Sequence, residues 1–152
     1  MLYYQRLHPE AHIPDRAYDH AIGYDLYACL ITVSGRPNVI DIPPNFTRAV
    51  PTKLILATSP GYRLEVCSRS GLSLGDPPIF VANAPGIIDP DYRGEVKVIL
   101  FNGGRSVYRV EHRERIAQVV ICPAIVLDME EKELENEDTP RGARGYGSTG
   151  KH

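Results

Sequence analysis

The sequence predicts an all-β domain, folded as a β-sandwich or as a barrel-like jelly roll. The apolar segments are short and rich in Val, Ile, Leu and aromatic residues, and turn residues separate them at close intervals. No long stretch keeps a helical period. The thirteen prolines and thirteen glycines are scattered between the apolar segments, so they indicate turns and not a low-complexity region.

In chain order, seven segments have the length and composition of strands. Turn sequences such as SGRPN, SPGY, LGDPP and NGGR separate them. The only helix candidate is the short segment RSGLSL at 69–74. The predicted strands are VIDIPP at 39–44, RAVPTKLILAT at 48–58, YRLEVCS at 62–68, IFVANA at 79–84, EVKVILFN at 95–102, VYRV at 107–110 and IAQVVICPAIVL at 116–127.

Length, composition and charge describe an ordinary globular protein. The 152 residues suit one domain with its own core, and 43% of them are hydrophobic and 24% charged. The net charge of -2 produces no overall attraction to nucleic acid or to a membrane surface. No apolar run approaches the roughly 18 residues of a membrane span.

The N-terminus and the cysteines indicate the cellular compartment in which we expect the protein. The first residues, MLYYQRLHPEAH, lack the pattern of a secretory signal. The cysteines Cys29, Cys67 and Cys122 form no metal-binding pattern, so we expect reduced core thiols. We therefore expect a cytoplasmic protein, or one of the host cytoplasm or nucleus if the source is viral.

The composition changes after Leu127. The segment DMEEKELENED at 128–138 holds seven of the nineteen acidic residues and predicts a solvated connector. The glycine-rich, basic segment RGARGYGSTG at 141–150 follows, and it lacks the lysine and Ser/Thr ending of a P-loop. A disordered RNA-binding tail is one interpretation of it. We predict a catalytic body over 1–127 and a flexible C-terminal arm over 128–152.

A bend between two apolar runs contains two carboxylates and an aromatic residue. The segment GIIDPDYRGEVKVILFN at 86–102 predicts a hairpin whose bend runs from Asp89 to Gly94. A solvated turn is the alternative. Because Asp89 directly follows the apolar Gly86-Ile87-Ile88, its carboxylate is expected at the rim of the core, where it can accept a proton from water.

Two further segments carry candidate polar groups, and those of the first suit phosphate. In CSRSGLS at 67–73, Arg69 and Ser70 precede a glycine that lets backbone N–H groups approach a ligand. The same triplet is frequent in ordinary turns. In RERIAQVV at 113–120, Arg115 and Gln118 lie on a predicted strand, and an edge strand with outward polar residues explains them equally well.

Together, five segments in chain order resemble the ordered motifs of the trimeric dUTPase family. The resemblance spans residues 21–150, and five motifs at the family's approximate spacing are far more specific than any one of them. They are AIGYDLYA at 21–28, SRSGLS at 68–73, NAPGIIDPDYRGEVKV at 83–98, RERIAQVV at 113–120 and RGARGYGSTG at 141–150.

The resemblance implies a jelly-roll β-barrel of the dUTPase type, assembled as a homotrimer with shared active sites. It implies hydrolysis of dUTP to dUMP and pyrophosphate with Mg²⁺ on the triphosphate. That reaction limits uracil incorporation into DNA and supplies dUMP for dTMP synthesis. The arm would cross to a neighbouring chain and close over bound nucleotide. The implied partners are dUTP and two copies of the chain, with no direct contact to nucleic acid or membrane.

The resemblance also implies roles for the bend and its neighbours. Asp89 matches the catalytic carboxylate, which orients and activates the water that attacks the α-phosphorus. Tyr92 matches the aromatic residue that packs under deoxyribose and excludes a 2′-hydroxyl. The uracil pocket matches Asn83, the backbone of Ile87, Ile88 and Asp89, and Lys97.

For the triphosphate, the implied contacts come from three other motifs. Asp25 matches the acidic residue near the water shell of the metal, with Mg²⁺ otherwise held by the triphosphate. In the arm, Arg141 should pair with the γ-phosphate and Tyr146 should lie over the uracil ring. The remaining implied phosphate contacts are Arg69, Ser70, Gly71, Gln118, Gly147 and Ser148.

Some positions depart from the usual pattern of the family without removing a catalytic group. Tyr146 stands where phenylalanine is more frequent, so stacking on the base survives. Arg113, just before the core of the fourth motif, stands where glycine is common, which alters a turn.

Two other functions stay open from the sequence alone. A dCTP deaminase shares the fold, but its catalytic glutamate would fall three residues before Asn102, where this chain has Ile99. A dUTPase-like scaffold that only binds partners is the second, and Asp89, Arg69 and Arg141 argue against a purely structural remnant. A binding role added to catalysis is compatible with all three residues.

Overall fold

The computed structural model describes residues 1–32, 34–133 and 139–145. Within them the chain forms eleven β-strands and one four-residue helix, so the all-β prediction is confirmed. The helix α1 (Ser70–Ser73) lies in the segment predicted for it. The strands are β1 (Leu2–Arg6), β2 (Tyr24–Tyr27), β3 (Val39–Ile42), β4 (Thr47–Pro51), β5 (Leu54–Thr58), β6 (Tyr62–Cys67), β7 (Ile79–Val81), β8 (Gly86–Ile88), β9 (Lys97–Asn102), β10 (Tyr108–Glu111) and β11 (Arg115–Pro123).

All strand pairs are antiparallel, and most neighbours in a sheet are distant in sequence. One sheet has four strands in the order β2-β11-β6-β8, and another has three in the order β4-β9-β7. The pairs β1-β5 and β3-β10 complete the fold. Strands that are consecutive in the chain lie in different sheets, and this arrangement is of the jelly-roll type.

The core forms because side chains alternate between the two faces of each strand. In β5, Leu54, Leu56 and Thr58 are buried while the residues between them are half-buried, and β9 alternates in the same way. The inward residues of ten strands meet in one apolar cluster. Its largest fully buried members are Leu26, Ile42, Leu54, Leu56, Leu64, Ile79, Leu100, Ile116, Val50, Val98, Val110 and Val119.

The predicted hairpin over 86–102 is wrong as a hydrogen-bonded pair. β8 pairs with β6, whereas β9 pairs with β4 and β7, so the bend between them connects two sheets. The apolar pattern predicts both strands correctly, but it does not indicate which strand each of them pairs with. The alternative of an edge strand for the fourth motif is also wrong, because β11 lies between β2 and β6.

Several other predicted strands are broken or shorter in the structure. The segment predicted over 48–58 breaks into β4 and β5 at Lys53, whose φ of 55° is left-handed and incompatible with a continuous strand. The segment predicted over 116–127 ends at Pro123, the last residue that pairs with β6. Ile125, Val126 and Leu127 beyond it are exposed.

The cysteines agree with the sequence prediction only in part. None of the three forms a disulfide, but only Cys29 is buried in the core, whereas Cys67 and Cys122 are half-buried. Desolvation raises the pKa of each thiol, so all three are expected to stay protonated near neutral pH. Within the described residues, no helix has the length and hydropathy that crossing a bilayer requires.

Candidate active site

A cavity of about 280 Å³ lies where the bend after β8 meets β9. We call it the bend cavity. Six residues assigned by the resemblance line it, although they come from four separate stretches of the third motif. They are Asn83, Ile87, Ile88, Asp89, Tyr92 and Lys97, and the other lining residues are Val66, Val81, Gly86, Glu95, Val96, Val98 and Ile99.

The bend is closed by hydrogen bonds among its own residues. The Tyr92 N–H donates to the Asp89 carbonyl at 3.1 Å, and the Arg93 guanidinium donates to the Pro90 and Tyr92 carbonyls, each at 2.8 Å. Ile88 is buried while Asp89 is exposed, so the chain leaves the core at this point. The Asp89 carboxylate therefore lies at the mouth of the bend cavity, as expected.

The start of β9 carries charged groups on the same cavity. Glu95 has only 16% of its side chain exposed, and its carboxylate accepts a hydrogen bond from the Lys53 N–H at 3.1 Å. Its oxygens lie 3.6 Å from the Lys53 Nζ and 3.8 Å from the Lys97 Nζ. Sequence reasoning did not select Glu95, although its position two residues before Lys97 puts both side chains on one face of an extended chain.

Asn83 reaches the cavity because residue 86 has no side chain. An added Cβ at Gly86 would lie 3.0 Å from the Asn83 Nδ2 and 3.5 Å from the Val66 Cβ. The Ala84 N–H donates to the Val81 carbonyl at 3.1 Å, which forms the turn that carries Asn83. The amide of Asn83 thus lies against β8, where it can meet a polar ligand.

A second, larger cavity of about 820 Å³ lies on the four-stranded sheet. We call it the arginine cavity. The register of the sheet explains its composition, because Gln118 of β11 is opposite Asp25 of β2 on one side and Cys67 of β6 on the other. Residues opposite each other share a face of the sheet. The lining residues include five assigned by the resemblance, which are Asp25, Arg69, Ser70, Gly71 and Gln118.

Gln118 is held in place by the turn after β6. Its Nε2 donates to the Ser68 carbonyl at 3.0 Å. A Cβ at Gly23 would lie 3.2 Å from the Gln118 Cδ and closer still to its Oε1, so this glycine makes room for the amide. The side chain of Gln118 is therefore fixed between the first and second motifs.

Asp25 forms ion pairs with two arginines in the arginine cavity. The Arg69 Nε lies 3.0 Å from the Asp25 Oδ1, and the Arg115 Nη1 lies 3.4 Å from its Oδ2. Arg69 also donates to the Arg115 carbonyl at 3.0 Å. Because only 14% of the Asp25 side chain is exposed, the two guanidinium groups compensate a largely buried charge. Arg115 belongs to the fourth motif, but the resemblance implied no role for it.

The N-terminal segment fixes the backbone of Asp25. The Asp25 N–H donates to the Asp15 carbonyl at 2.7 Å, and the Tyr27 hydroxyl donates to the Asp15 carboxylate at 2.8 Å. Desolvation first, and then the Asp15 carboxylate, raise the pKa of Tyr27 to about 12. The Tyr27 hydroxyl therefore stays a neutral donor at physiological pH.

Within one chain, the two cavities are separate. Val66 and Cys67 are consecutive in β6, so their side chains point to opposite faces of the sheet. Val66 lines the bend cavity and Cys67 lines the arginine cavity. The predicted site residues thus form two groups in one chain, with Asp89 in one and Arg69 in the other.

The described part of the arm is a compact turn over residues 139–145. The Gly142 N–H donates to the Thr139 carbonyl at 3.1 Å, and the Arg141 Nε donates to the Arg144 carbonyl at 3.0 Å. Arg141 is exposed. The other predicted arm residues, Tyr146, Gly147 and Ser148, lie outside the described residues.

The two cavities differ in what they can bind. The bend cavity combines apolar walls with an amide, an ammonium group and a carboxylate at its mouth, which suits a small polar ring next to a reacting centre. The arginine cavity has two guanidinium groups and the start of α1, which suit anionic oxygens. Among the described residues, no three His, Cys, Asp or Glu side chains form a group that could hold a metal ion by themselves.

Comparison with known proteins gives consistent matches. The dUTPase family model matches residues 9–150. The deoxyuridine 5'-triphosphate nucleotidohydrolase of Wolinella succinogenes is 42% identical over 146 residues, which cover 96% of this chain and 91% of that protein.

Solved structures of phage proteins share the fold. A mutant dUTPase of Staphylococcus bacteriophage 80alpha with dUpNHpp has a TM-score of 0.85 and 22% identity, covering 99% of this chain and 98% of that chain. A mutant dUTPase from phage phi11 of S. aureus, whose structure concerns the coordination of a structural Mg(II) ion, has a TM-score of 0.76 and 19% identity. That match covers 88% of this chain and 97% of the phage chain.

The two kinds of match support different conclusions, one about the fold and one about the family. The phage structures are distant in sequence and establish only that the jelly-roll fold is shared. The family model and the curated relative extend over nearly the whole chain at much higher identity. From this agreement it follows that the chain belongs to the dUTPase family.

Proposed function

We propose that this chain hydrolyses dUTP to dUMP and pyrophosphate, in a site that combines the bend cavity of one chain with the arginine cavity of another. As a member of the dUTPase family, the chain is an enzyme of the dUTP diphosphatase class. The bend cavity is the observation that most directly supports this reaction and this shared site. Asp89 and Tyr92 both line this cavity of about 280 Å³.

The uracil ring occupies the bend cavity in this proposal. Backbone groups from Ile87 to Asp89 act as base-pairing partners for uracil, and Asn83 and Lys97 complete the polar wall. In this proposal, a tight wall of the cavity rejects the methyl group of thymine. The ring of Tyr92 packs under the deoxyribose and excludes a 2′-hydroxyl. This assignment is supported by the presence of all these residues on one cavity.

Asp89 acts as the catalytic residue. Its carboxylate orients a water molecule and accepts a proton from it as the water attacks the α-phosphorus in line. The position of Asp89 supports this role, because the residue is exposed, directly follows buried Ile88 and lies at the mouth of the cavity. The α-phosphate of a bound nucleotide would lie just outside the base pocket.

The triphosphate binds in the arginine cavity. Arg69, Ser70 and Gly71 contact phosphate oxygens through a guanidinium, a hydroxyl and backbone N–H groups, and Gln118 adds an amide. From the arm, Arg141 pairs with the γ-phosphate. The remaining arm contacts are Tyr146 over the uracil ring and Gly147 and Ser148 on phosphate.

The residues present fit a magnesium ion held mainly by the substrate. Mg²⁺ commonly uses one or two carboxylates together with substrate phosphates and retained waters. Asp25 is the carboxylate of the arginine cavity, and each of its oxygens has a further lone pair beside its arginine contact, which can accept a metal-bound water. When bound, the ion would neutralise part of the triphosphate charge.

The chain acts as a homotrimer in this proposal, and the arm of residues 128–152 closes over a neighbouring site. The exposed run of Ile125, Val126 and Leu127 supports an assembly, because contiguous exposed apolar residues commonly mark interaction surfaces. We place the reaction in the cytoplasm, or in the host cytoplasm or nucleus if the chain is viral. It limits uracil incorporation into DNA and supplies dUMP for dTMP synthesis.

The first prediction tests the reaction and the base together. Pyrophosphate release is measured with the purified full-length protein and each deoxynucleoside triphosphate, with and without Mg²⁺. We expect pyrophosphate release from dUTP and from none of the other nucleotides, and we expect more release with Mg²⁺ than without it. Asp89→Asn keeps size and polarity but removes the proton acceptor, so turnover should fall by about 10²-fold or more while dUTP still binds.

Controls separate this function from its rivals. Asp91→Asn changes the neighbouring carboxylate, which does not line the bend cavity, and should leave turnover close to that of the unchanged protein. Near-normal turnover of Asp89→Asn would remove Asp89 from its role. Ammonia released from dCTP without pyrophosphate would indicate a deaminase, and dUTP binding without any turnover would indicate a scaffold.

A further inference from the structure

The ring of Tyr92 lies directly over Gly94. A Cβ added at Gly94 would lie 2.5 Å from the Tyr92 Cζ and 3.0 Å from its Cε2, distances that a real Cβ cannot keep. The φ of Gly94 is not in the left-handed region, so alanine could adopt this backbone. Residue 94 must therefore lack a side chain because of the ring above it.

The hydroxyl of Tyr92 is held at the next residue. The Tyr92 Oη donates to the Glu95 carbonyl at 3.1 Å. The carboxylate of Glu95 in turn accepts the Lys53 N–H at 3.1 Å, which ties this point of the chain to the turn between β4 and β5. The acceptor for the Tyr92 hydroxyl is thus anchored on a second part of the fold.

These contacts matter because the core does not hold the ring. Tyr92 has 43% of its surface exposed and does not belong to the apolar core cluster. A ring that excludes a 2′-hydroxyl must resist displacement by one extra oxygen atom. An exposed aromatic side chain without anchors could rotate away at little cost.

We propose that Gly94 and Glu95 are positioning residues that determine sugar selectivity by fixing Tyr92. Gly94 provides the surface on which the ring lies, and Glu95 holds the hydroxyl at the far end of the ring. The inference rests on the proposed function, since it concerns how Tyr92 distinguishes dUTP from UTP. Both act through the ring in this proposal, since Gly94 has no side chain and Glu95 contributes its backbone carbonyl.

The test compares the kcat/KM values for dUTP and UTP in the full-length protein. Gly94→Ala should displace the ring, so the ratio of the dUTP value to the UTP value should fall by roughly 10-fold. Gly103→Ala is the matched control, because its Cβ would also meet an aromatic ring, at 3.1 Å from the Phe80 Cε2, but outside the bend cavity. The control should keep the ratio of the unchanged protein.

Further variants show whether the effect passes through the ring. Tyr92→Phe keeps the ring and removes its hydroxyl, so the ratio should fall by roughly 3-fold. In a Tyr92→Ala background, Gly94→Ala should change the ratio no further, because there is no ring to displace. If Gly94→Ala does not fold, the ratio in Tyr92→Phe is the test. A fall supports the inference, and an unchanged ratio overturns it.

The outcomes separate this inference from the proposed function. An unchanged or raised ratio in Gly94→Ala, with dUTP hydrolysis retained, would overturn the inference and leave the function intact. An equal fall in the Tyr92→Ala background would also overturn it, since the glycine would then act by another route. Absence of dUTP hydrolysis in the unchanged protein would instead reject the proposed function.

Discussion

At the scale of single residues, Arg113 shows how a departure from the family pattern is accommodated. Its φ of 66° lies in the left-handed region, which favours glycine. This explains why the resemblance has glycine as the common residue here. The Arg113 N–H donates to the Ala28 carbonyl at 2.8 Å, so the turn keeps its shape. The guanidinium lies 2.7 Å from the Glu10 carboxylate and ties the N-terminal segment to this turn.

The second prediction concerns this strained position. Arg113→Gly and Arg113→Ala both lose the pair with Glu10, and they differ in whether the backbone strain remains. Glycine should give a free energy of unfolding about 1 kcal/mol higher than alanine, because a non-glycine residue is strained in the left-handed region. Urea denaturation at one protein concentration measures the difference. Equal stabilities of the two variants would contradict the strain.

The ion pair itself is expected to contribute little. The side chains of Arg113 and Glu10 are 59% and 46% exposed, so water and salt screen their attraction. Glu10→Gln should therefore change the free energy of unfolding by less than about 1 kcal/mol. This variant separates the contribution of the pair from that of the backbone.

At the scale of elements, Asn102 joins the end of β9 to the β3-β10 pair. It is fully buried, and its Nδ2 donates to the Ile42 and Ser106 carbonyls, each at 2.8 Å. Its Oδ1 accepts the Gly104 N–H at 2.9 Å. One side chain thus satisfies three backbone groups where these strands meet, and the Ile42 carbonyl is a buried acceptor.

The third prediction follows from this network. Asn102→Ala leaves those three backbone groups unsatisfied, so the free energy of unfolding should fall by about 2–4 kcal/mol. Asn38→Ala, at an exposed position, is the matched control and should change it by less than about 0.5 kcal/mol. Denaturant titrations of both variants provide the measurement. A change at Asn102 no larger than that at Asn38 would show that the network contributes nothing.

At the scale of the whole molecule, the separation of the two cavities is the decisive feature. The bend cavity holds Asp89 and the arginine cavity holds Arg69, and Val66 and Cys67 place the two cavities on opposite faces of β6. A single nucleotide that needs both groups must therefore draw on more than one chain. The proposed homotrimer supplies the second chain.

The fourth prediction tests this sharing directly. Full-length Asp89→Asn and Arg69→Ala proteins are mixed and allowed to exchange subunits. If one chain provides Asp89 and another provides Arg69, about one quarter of the sites in randomly mixed trimers contain both intact residues. Activity should then rise well above that of either variant alone. Light scattering and differently tagged chains confirm that mixed trimers have formed.

A lack of recovery in verified mixed trimers would contradict a shared site. The control is the same mixing with two differently tagged Asp89→Asn preparations, which should give no gain. Each variant should also keep the assembly state of the unchanged protein. A loss of assembly in Arg69→Ala would require the milder Arg69→Lys, which keeps the charge and loses the planar guanidinium.

Much of the site could be predicted because its parts are contiguous in sequence. Asp89 and Tyr92 belong to one bend, and Arg69, Ser70 and Gly71 belong to one turn, so short motifs describe them well. Glu95 was missed because no motif records that its carbonyl accepts the Tyr92 hydroxyl. Contacts of this kind depend on side-chain orientation, which sequence spacing does not specify.

The sequence by itself determined the all-β class, the turns, the short helix within 69–74 and the residues of each motif, because these depend on local backbone preferences and on apolar alternation. Only the tertiary structure decided the strand partners, including the pairing of β8 with β6 and the central position of β11. Backbone hydrogen bonds are the same for every residue, so the sequence of a strand does not specify which strand it pairs with. The contact of Asp25 with Arg69 and Arg115 follows from that pairing, and so does the division of the site into two cavities.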